Sequence, residues 1–490
     1  NFALGINRYV FHVNALTPWL NRKPGMSLDG IGTFFQRGQT WWKPGKAWFN
    51  YITRCQALLQ QGHPVTDIAV FTGEETPRRA ILPQRLVSTL PGLFGAEAVE
   101  REVERTANNG EPQVSMVEDA THSANMELAG EFTDPLRGYA YDSMNKDALL
   151  TATVKNGRIM LPGGASYGLL VVPGADKMNP TGMLSAKVSE KINQLSKQGV
   201  KVIYGDKPYQ KETLDGLGIR RDFVATENGQ PAKDIAWTHR AGKGFDLYFV
   251  SNQHPGKRTI EISLRVKNKA PELWDALTGE TRPASAWTNR NDRTIVPVTL
   301  DANGSLFIIL RKKAGRPGIV HTGRPAHLKT VQTLDDSWQV KFDPAFGGPK
   351  ETVVLKTTDD WSQNNNPAIK NYSGTAVYTQ AFAWAGDTGK PVWLQLGKVN
   401  NLARVYVNGL DCGVAWTYPY QVNISKALKR GKNELKIEVT NTWRNRIKAD
   451  HGLPESQRIT WTNARYYLQN KQPLPAGLTQ RVVLLQENKN

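Results

Sequence analysis

Asn400-Asn401-Leu402-Ala403-Arg404-Val405-Tyr406-Val407-Asn408-Gly409 decides the fold of the last third of the chain. Residues 403–407 read as a short strand, and Asn408-Gly409 as the turn that ends it, because both central positions of such a turn need positive φ. The same texture recurs at 352–356, 375–382, 392–396, 421–424, 434–440 and 481–485, with Arg430-Gly431 as a second turn signal. Regular short strands with turns between them predict an antiparallel β-sandwich of the jelly-roll kind over residues 328–490.

Outward from there, residues 311–327 are basic, contain Pro317 and Pro325, and read as a linker. Before it, alternating strands at 245–251, 259–266, 294–300 and 306–310, with an Asn303-Gly304 turn, predict a small β module over 241–313. Residues 64–240 change period. An apolar strand at 167–172 is followed by a helix that Pro180 opens and that carries Leu184, Val188, Ile192 and Leu195. Gly199 ends it, and 200–204 is the next strand. That is a βαβ crossover, which predicts parallel strands in a doubly wound, flavodoxin- or amidotransferase-like sheet. The turn Pro173-Gly174-Ala175-Asp176 has no Cys nucleophile, so no amidotransferase chemistry is expected. Residues 96–131 are polar and poorly periodic, and read as a long surface excursion.

Residues 1–63 read as a buried strand at 7–16, a loop rich in Pro, Gly and Trp, and a helix over 46–61. The helix carries Ala47, Tyr51, Cys55 and Leu58 on one face and stops at Gly62. A strand–helix unit standing alone cannot bury both faces of its sheet, so a truncated α/β domain is expected. Asn1 is not an initiator Met and no basic or apolar leader follows it, so the start is expected to lie upstream.

Composition narrows the classes. With 490 residues, 39 % hydrophobic and 22 % charged, the chain is expected to fold into about three globular domains rather than a coiled coil or collagen. Its apolar runs, such as 306–310, are far too short for a membrane helix. Cys55 and Cys412 are the two cysteines, too few for a disulfide framework or a Cys-based zinc cluster. The formal charge of +18 asks for a polyanionic partner. The longest basic run is Arg311-Lys312-Lys313 and no nucleic-acid motif accompanies it, so an acidic polysaccharide is expected and nucleic acid is not.

Gly164-Ala165-Ser166-Tyr167-Gly168 has the G-x-S-x-G pattern of a nucleophile elbow, which needs a helix after the Ser. Here a strand follows, so a tight turn between strands is expected instead. Trp19, Phe34, Phe35, Trp41 and Trp42 crowd the loop after the first strand, at the end where α/β barrels build active sites. They either stack on sugar or pack the loop on the barrel rim. His12 and Asn14 share one face near that strand end, where His12 is either a ligand or a satisfied core residue. Trp416 and Tyr418 either stack on a pyranose face or fill the sandwich.

The run Asn400 to Gly409, with Gly413, Trp416, Pro419-Tyr420, Gly431-Lys432-Asn433-Glu434-Leu435 and Val439-Thr440-Asn441-Thr442-Trp443, resembles the sugar-binding, galactose-binding-like jelly roll of family 2 glycoside hydrolases. Asn7-Arg8-Tyr9-Val10-Phe11-His12, Pro18-Trp19, Lys23-Pro24-Gly25-Met26-Ser27, Arg37, Gln39-Thr40-Trp41-Trp42, Lys46-Ala47-Trp48 and Arg54-Cys55-Gln56 resemble glycoside hydrolase family 106, the α-L-rhamnosidases. Val171-Val172-Pro173-Gly174-Ala175-Asp176, Tyr141-Asp142 and Leu273-Trp274-Asp275-Ala276-Leu277-Thr278-Gly279 extend the likeness along the chain.

The resemblance implies that residues 1–63 are the last strand and helix of a catalytic (β/α)8 barrel. The chain would be the C-terminal portion of a periplasmic or secreted, inverting enzyme that cleaves terminal α-L-rhamnosyl bonds of plant-type polysaccharide or glycoconjugate. His12, Asn14, Arg37, Gln39, Trp41 and Trp42 would face the substrate, and a calcium ion would sit near the sugar with no ligands assigned in this chain. Glycosidases of this kind need two carboxyl groups. Asp29 and Asp67 are the acids before Gly73; neither is assigned, and both catalytic groups are expected upstream. Leu16 and Thr17 stand where a second His and a Gln are expected, and Lys43-Pro44-Gly45 where a Glu is, which bears on specificity and activity. The rival reading is a non-catalytic carbohydrate-binding or scaffolding polypeptide.

Overall fold

The computed structural model describes residues 1–12, 14–28, 35–74, 136–174, 182–205, 214–314, 321–322, 328–335, 337–463 and 472–487. The chain divides into two compact units. The first holds Asn1–Asn7 and Cys55–Arg324, the second Arg8–Arg54 and Pro325–Asn490. Helix α1, Lys46–Leu59, contributes to both. Its buried stripe is Ile52, Cys55 and Leu59, one position away from the Leu58 of the expected face. Gly62 follows at φ +60, where a Cβ would lie 2.2 Å from the Ala241 carbonyl, so the stop signal is also a close approach that only glycine permits.

In the first unit, β1 (Ile68–Phe71), β2 (Tyr141–Met144), β3 (Leu169–Val172) and β4 (Lys201–Tyr204) form a parallel sheet in the order β2-β1-β3-β4. Successive residues of β1 and β3 enter different cores: Ala69, Phe71, Leu170 and Val172 on one face, Ile68, Val70, Leu169 and Val171 on the other. This two-sided burial explains why these strands are continuous apolar runs. Helices α2 (Lys146–Thr151) and α3 (Ala186–Lys197) accompany the sheet. The α3 stripe Val188, Ile192 and Leu195 joins the first core, and the Ser185 hydroxyl caps the helix by accepting from the Val188 amide at 3.3 Å. Pro180 and the stretch 96–131 lie outside the described residues.

Eight further strands of this unit build a two-sheet antiparallel sandwich: β5 (Phe223–Glu227), β6 (Ile235–Gly242), β7 (Phe245–Asn252), β8 (Arg258–Leu264), β9 (Lys269–Trp274), β10 (Ala286–Arg290), β11 (Arg293–Leu300) and β12 (Ser305–Lys313). Their orders are β5-β8-β11-β10 and β9-β12-β7-β6, extended at the edges by two- and three-residue strands. One core lies between them, with Ile260, Ile262, Val296 and Val298 from the first sheet and Tyr248, Val250, Ile308 and Leu310 from the second. Arg311-Lys312-Lys313 end β12, and His321–Thr322 pairs with Ala286 and Trp287, so these parts of the expected linker are strand.

In the second unit, β13 (Leu328–Thr333), β14 (Ser337–Lys341), β15 (Val353–Lys356), β16 (Thr375–Trp384), β17 (Val392–Gln395), β18 (Leu402–Val407), β19 (Leu410–Ala415), β20 (Gln421–Asn423), β21 (Gly431–Thr440) and β22 (Val483–Glu487) form a second sandwich. Its sheets run β15-β14-β16-β21-β18-β19 and β13-β22-β17-β20. Ala403, Val405 and Val407 face the core with Ile437, Val439, Leu394 and Leu484, and Asn408 and Gly409 both take positive φ. Trp361 and Tyr378 stack in this core, the indole donating to the Tyr378 hydroxyl at 2.6 Å.

The strand expected at 7–16 does not form among the described residues. Val10 is 93 % and Leu16 85 % exposed, and no described strand pairs with this stretch. Strand composition produces a strand only where a neighbour completes the ladder. The regular elements in the described part of 1–63 are a 3-10 turn at Phe2–Leu4, α1 and the two-residue strands Pro24–Gly25 and His63–Pro64.

Candidate functional site

The loop leading into α1 is organised around a buried glutamine. Gln36 Nε2 donates to the Pro24 carbonyl at 2.8 Å and to the Met26 carbonyl at 3.0 Å, and its Oε1 accepts from the Thr17 hydroxyl at 3.3 Å. The Met26 amide in turn donates to Thr17 Oγ1 at 3.1 Å. Thr17 thus retains a polar role, but within the loop and not toward a ligand. Leu16 and Lys43 are exposed.

Residues after β21 hold this loop from the other side. Trp443 Nε1 donates to the Gly38 carbonyl at 2.7 Å, and the Thr40 hydroxyl donates to the Asn441 carbonyl at 2.5 Å. Asn463 accepts the Ser27 amide at 2.7 Å and donates Nδ2 back to the Ser27 carbonyl at 3.1 Å. Pro24 and Gly25 pair in parallel with Trp461 and Thr462. The Arg22 guanidinium lies over the rings of Trp19 and Trp461, 4.5 and 5.0 Å from their centroids. Asn441 is tied to the sandwich through Gly374 and Tyr372, and Trp443 packs on Phe346.

All eight residues singled out from sequence fall in the second unit. His12, Asn14, Arg37 and Trp42 are exposed, while Gln39 and Trp41 are half-buried. An exposed His12 is not a core histidine. Phe35 meets Trp41 edge-on and stacks on Trp48, and Phe11 packs against Phe35, Trp48 and Phe49. One turn further along α1, Tyr51 meets Trp416 edge-on at 5.7 Å. Trp416 is therefore half-buried against α1 and is not part of the sandwich core, whereas Tyr418 is 44 % exposed.

The acids near the start are committed elsewhere. Asp67 is buried in the first unit, paired with Arg158 at 2.9 Å and Arg265 at 2.5 Å. Glu74 pairs with Lys146 at 2.8 Å, and Asp29 lies outside the described residues. Burial alone would raise the Glu74 carboxyl, but Lys146 and the Ser185 hydrogen bonds hold it below its ordinary value. Among the described residues no three His, Cys, Asp or Glu side chains converge on a metal position, so the calcium implied by resemblance has no ligand set there. Ser166 lies in a two-residue strand, with its hydroxyl accepting from Arg158 at 2.9 Å, which removes the nucleophile-elbow reading.

Sequence reasoning named Asn441 and Trp443 only as parts of a motif and missed Trp461 and Asn463 altogether. Nothing in residues 461–463 marks them as loop anchors, since their partners lie more than 400 positions away.

The loop and its anchors lie within stretches that match known proteins. The glycoside hydrolase family model described as alpha-L-rhamnosidase matches residues 1–109, 113–216 and 209–288, and the glycosyl hydrolase 2 galactose-binding domain-like model matches 355–473. The chain belongs to glycoside hydrolase family 106, the α-L-rhamnosidase family. It superposes on a rhamnosidase from Novosphingobium sp. PP1Y with a TM-score of 0.76 and 30 % identity, over 99 % of this chain and 45 % of that one. A Formosa agariphila protein named "Putative beta-glucuronidase" is 29 % identical over 341 residues, 63 % of this chain and 24 % of its own. The chain thus spans less than half the length of either relative. A β-glucuronidase from Ruminococcus gnavus aligns over 34 % of the chain, at 19 % identity and a TM-score of 0.24. Among the described residues no helix is long and apolar enough to cross a membrane.

Proposed function

We propose that the chain is the C-terminal portion of an inverting α-L-rhamnosidase acting on terminal α-L-rhamnosyl bonds of plant-type polysaccharide or glycoconjugate, in the periplasm or outside the cell. The observation that carries this is the match to the rhamnosidase family over residues 1–288, together with a likeness that spans 99 % of this chain but 45 % of the Novosphingobium rhamnosidase. Inverting hydrolysis needs an acid and a base carboxyl about 6.5–9.5 Å apart with a water between them. Asp67 and Glu74 are held in ion pairs, and this reading puts the acid and the base in chain N-terminal to this one.

In this reading residues 7–16 and α1 are the last strand and helix of a (β/α)8 barrel. The strand-like composition of 7–16 supports it. His12, Asn14, Arg37, Gln39, Trp41 and Trp42 then orient the sugar. The charge of +18 supports an acidic polysaccharide as the bearer of the rhamnose. Calcium is assigned to no described residue, and no step here runs through it.

The match of 355–473 to a galactose-binding-like domain favours one second reading, a non-catalytic glycan-binding polypeptide. The two separate on an aryl α-L-rhamnoside. The full-length protein should release the aglycone and β-rhamnose as first product by NMR, and the 490-residue chain should release none. Glycan binding with no turnover by the full-length protein would select the second reading, and cleavage of an aryl β-glucuronide instead would replace the sugar.

A further inference from the structure

We infer that Trp443, Asn441 and Thr40 are positioning residues for sugar binding, acting through the backbone of the loop that carries Arg37, Gln39 and Trp41. The inference rests on the reading of that loop as substrate-facing, and it gives the C-terminal sandwich a part in the site instead of a separate accessory role. Two neighbouring points of the loop are anchored: the Gly38 carbonyl accepts from Trp443 Nε1 at 2.7 Å and the Thr40 side chain donates to the Asn441 carbonyl at 2.5 Å, with exposed Arg37 and half-buried Gln39 and Trp41 next to them in the chain.

The anchors leave the loop little room. A Cβ at Gly38 would lie 2.4 Å from the Pro24 carbonyl, the same oxygen that accepts from Gln36. The chain at residue 38 is therefore seated between Pro24 and the buried Trp443, whose ring is itself fixed on Phe346. Asn441 transmits the constraint, since its side chain bonds Gly374 and Tyr372 in the sandwich while its carbonyl holds Thr40. A binding group keeps its productive geometry only while the contacts that support it hold, so losing such an anchor has a measurable cost.

The test has two readouts. In the 490-residue chain, Trp443→Phe keeps a ring against Phe346 and removes the donor. Amide exchange over residues 37–42 should rise about tenfold, the factor an ordinary lost hydrogen bond gives, with β18 and β21 unchanged. Thr40→Val should do the same, and Thr40→Ser should restore slow exchange. In the full-length enzyme Trp443→Phe should raise KM for an aryl α-L-rhamnoside about tenfold while kcat holds. Unchanged exchange, or faster exchange with KM unaltered and kcat falling in step with unfolded protein, would overturn the inference. A full-length protein without any glycosidase activity would instead overturn the proposed function, and unchanged exchange in Trp443→Phe would then still overturn the anchoring by itself.

Discussion

His239 and Asp222 are joined inside the first unit, imidazole Nδ1 to carboxylate Oδ2 at 2.6 Å, both side chains almost wholly buried. The other ring nitrogen meets Asp246 at 3.2 Å, and Asp246 also takes Lys269 at 2.6 Å. Tyr248 stacks on the imidazole with centroids 3.9 Å apart and donates its hydroxyl to Asp222 at 2.8 Å. Arg265 lies 3.5 Å from Asp222 and bonds Asp67, which bonds Arg158, so the pair connects the sandwich of this unit to the strand region opened by Asp67. Burial alone would lower the imidazole pKa, but Asp222 and then Asp246 raise it. Burial would likewise raise Asp222, but His239, Arg265 and Tyr248 hold it below the ordinary carboxylate value.

The pH dependence follows in sign. A raised folded-state pKa means that the contribution of His239 is complete below its unfolded value of about 6.5 and is lost as pH rises through the higher folded value. The lowered Asp222 and Asp246 contribute above about 3.9, and that stability is lost as pH falls through their folded values. Urea midpoints measured from pH 4 to 10 should therefore decline on the alkaline side, and His239→Gln should flatten that limb while costing about 3 kcal/mol near neutrality, since it removes the cation that Asp222 and Asp246 share and leaves them with Arg265, Tyr248 and Lys269. A His239→Gln profile parallel to the parent would refute the assignment.

A second buried charge sits beside the loop anchors. Asp450 in helix α4, Arg444–His451, is fully buried and accepts from Arg446 Nε at 2.9 Å, from the Thr460 amide and hydroxyl at 2.7 Å each, and from the Ile459 amide at 3.0 Å. Asp450→Ala should cost about 3–5 kcal/mol by denaturant unfolding, because Arg446 would remain buried without its partner. Loss of less than 1 kcal/mol would mean that water or another acid replaces it.

Gly62→Ala forces an L side chain into a left-handed conformation and a Cβ into contact with the Ala241 carbonyl. The conformational cost alone is about 1–2 kcal/mol, and the clash adds to it. Calorimetry should show a lowered Tm, whereas Gly409→Ala, with open space around its Cβ, should show only the conformational part.

Tyr418 and Trp416 should separate binding from stability. Tyr418→Ala removes an exposed ring and should leave stability within about 0.5 kcal/mol while weakening any glycan binding by the sandwich. Trp416→Ala removes packing on Tyr51 and should lower the Tm as well. Equal loss of Tm in both would contradict the observed difference in exposure.

The elements that could be read from sequence are those whose residues alternate cleanly or run apolar throughout. β11 alternates half-buried and buried residues along its length, β3 is buried at every position, and both were expected where they lie. β6 was not, because its inward positions include His239, a polar residue that only tertiary charge pairing makes tolerable. β9 was hidden in the same way by buried Glu272 and by Pro271 at a bulge. The strand at 7–16 failed for the opposite reason: its local pattern is right, and the ladder partner it needs is not among the described residues. Of the candidate site, the loop residues were legible through resemblance, but their anchors Trp461 and Asn463 were not, because no local pattern encodes a partner at the far end of the chain.

That separation sets the order in which the second unit can be completed. Ser27 and Asn463 are 436 positions apart, yet they exchange hydrogen bonds. Closing so long a loop adds little to the equilibrium cost, since the entropy grows only with the logarithm of length, but it comes late in folding. On the ribosome, residues 8–54 emerge before residues 441–463 and must wait for that part of the chain, with the loop around Gln36 lacking its anchors meanwhile. A stop codon before residue 441 would thus do more than delete a C-terminal piece: it would leave the beginning of the chain without its seat.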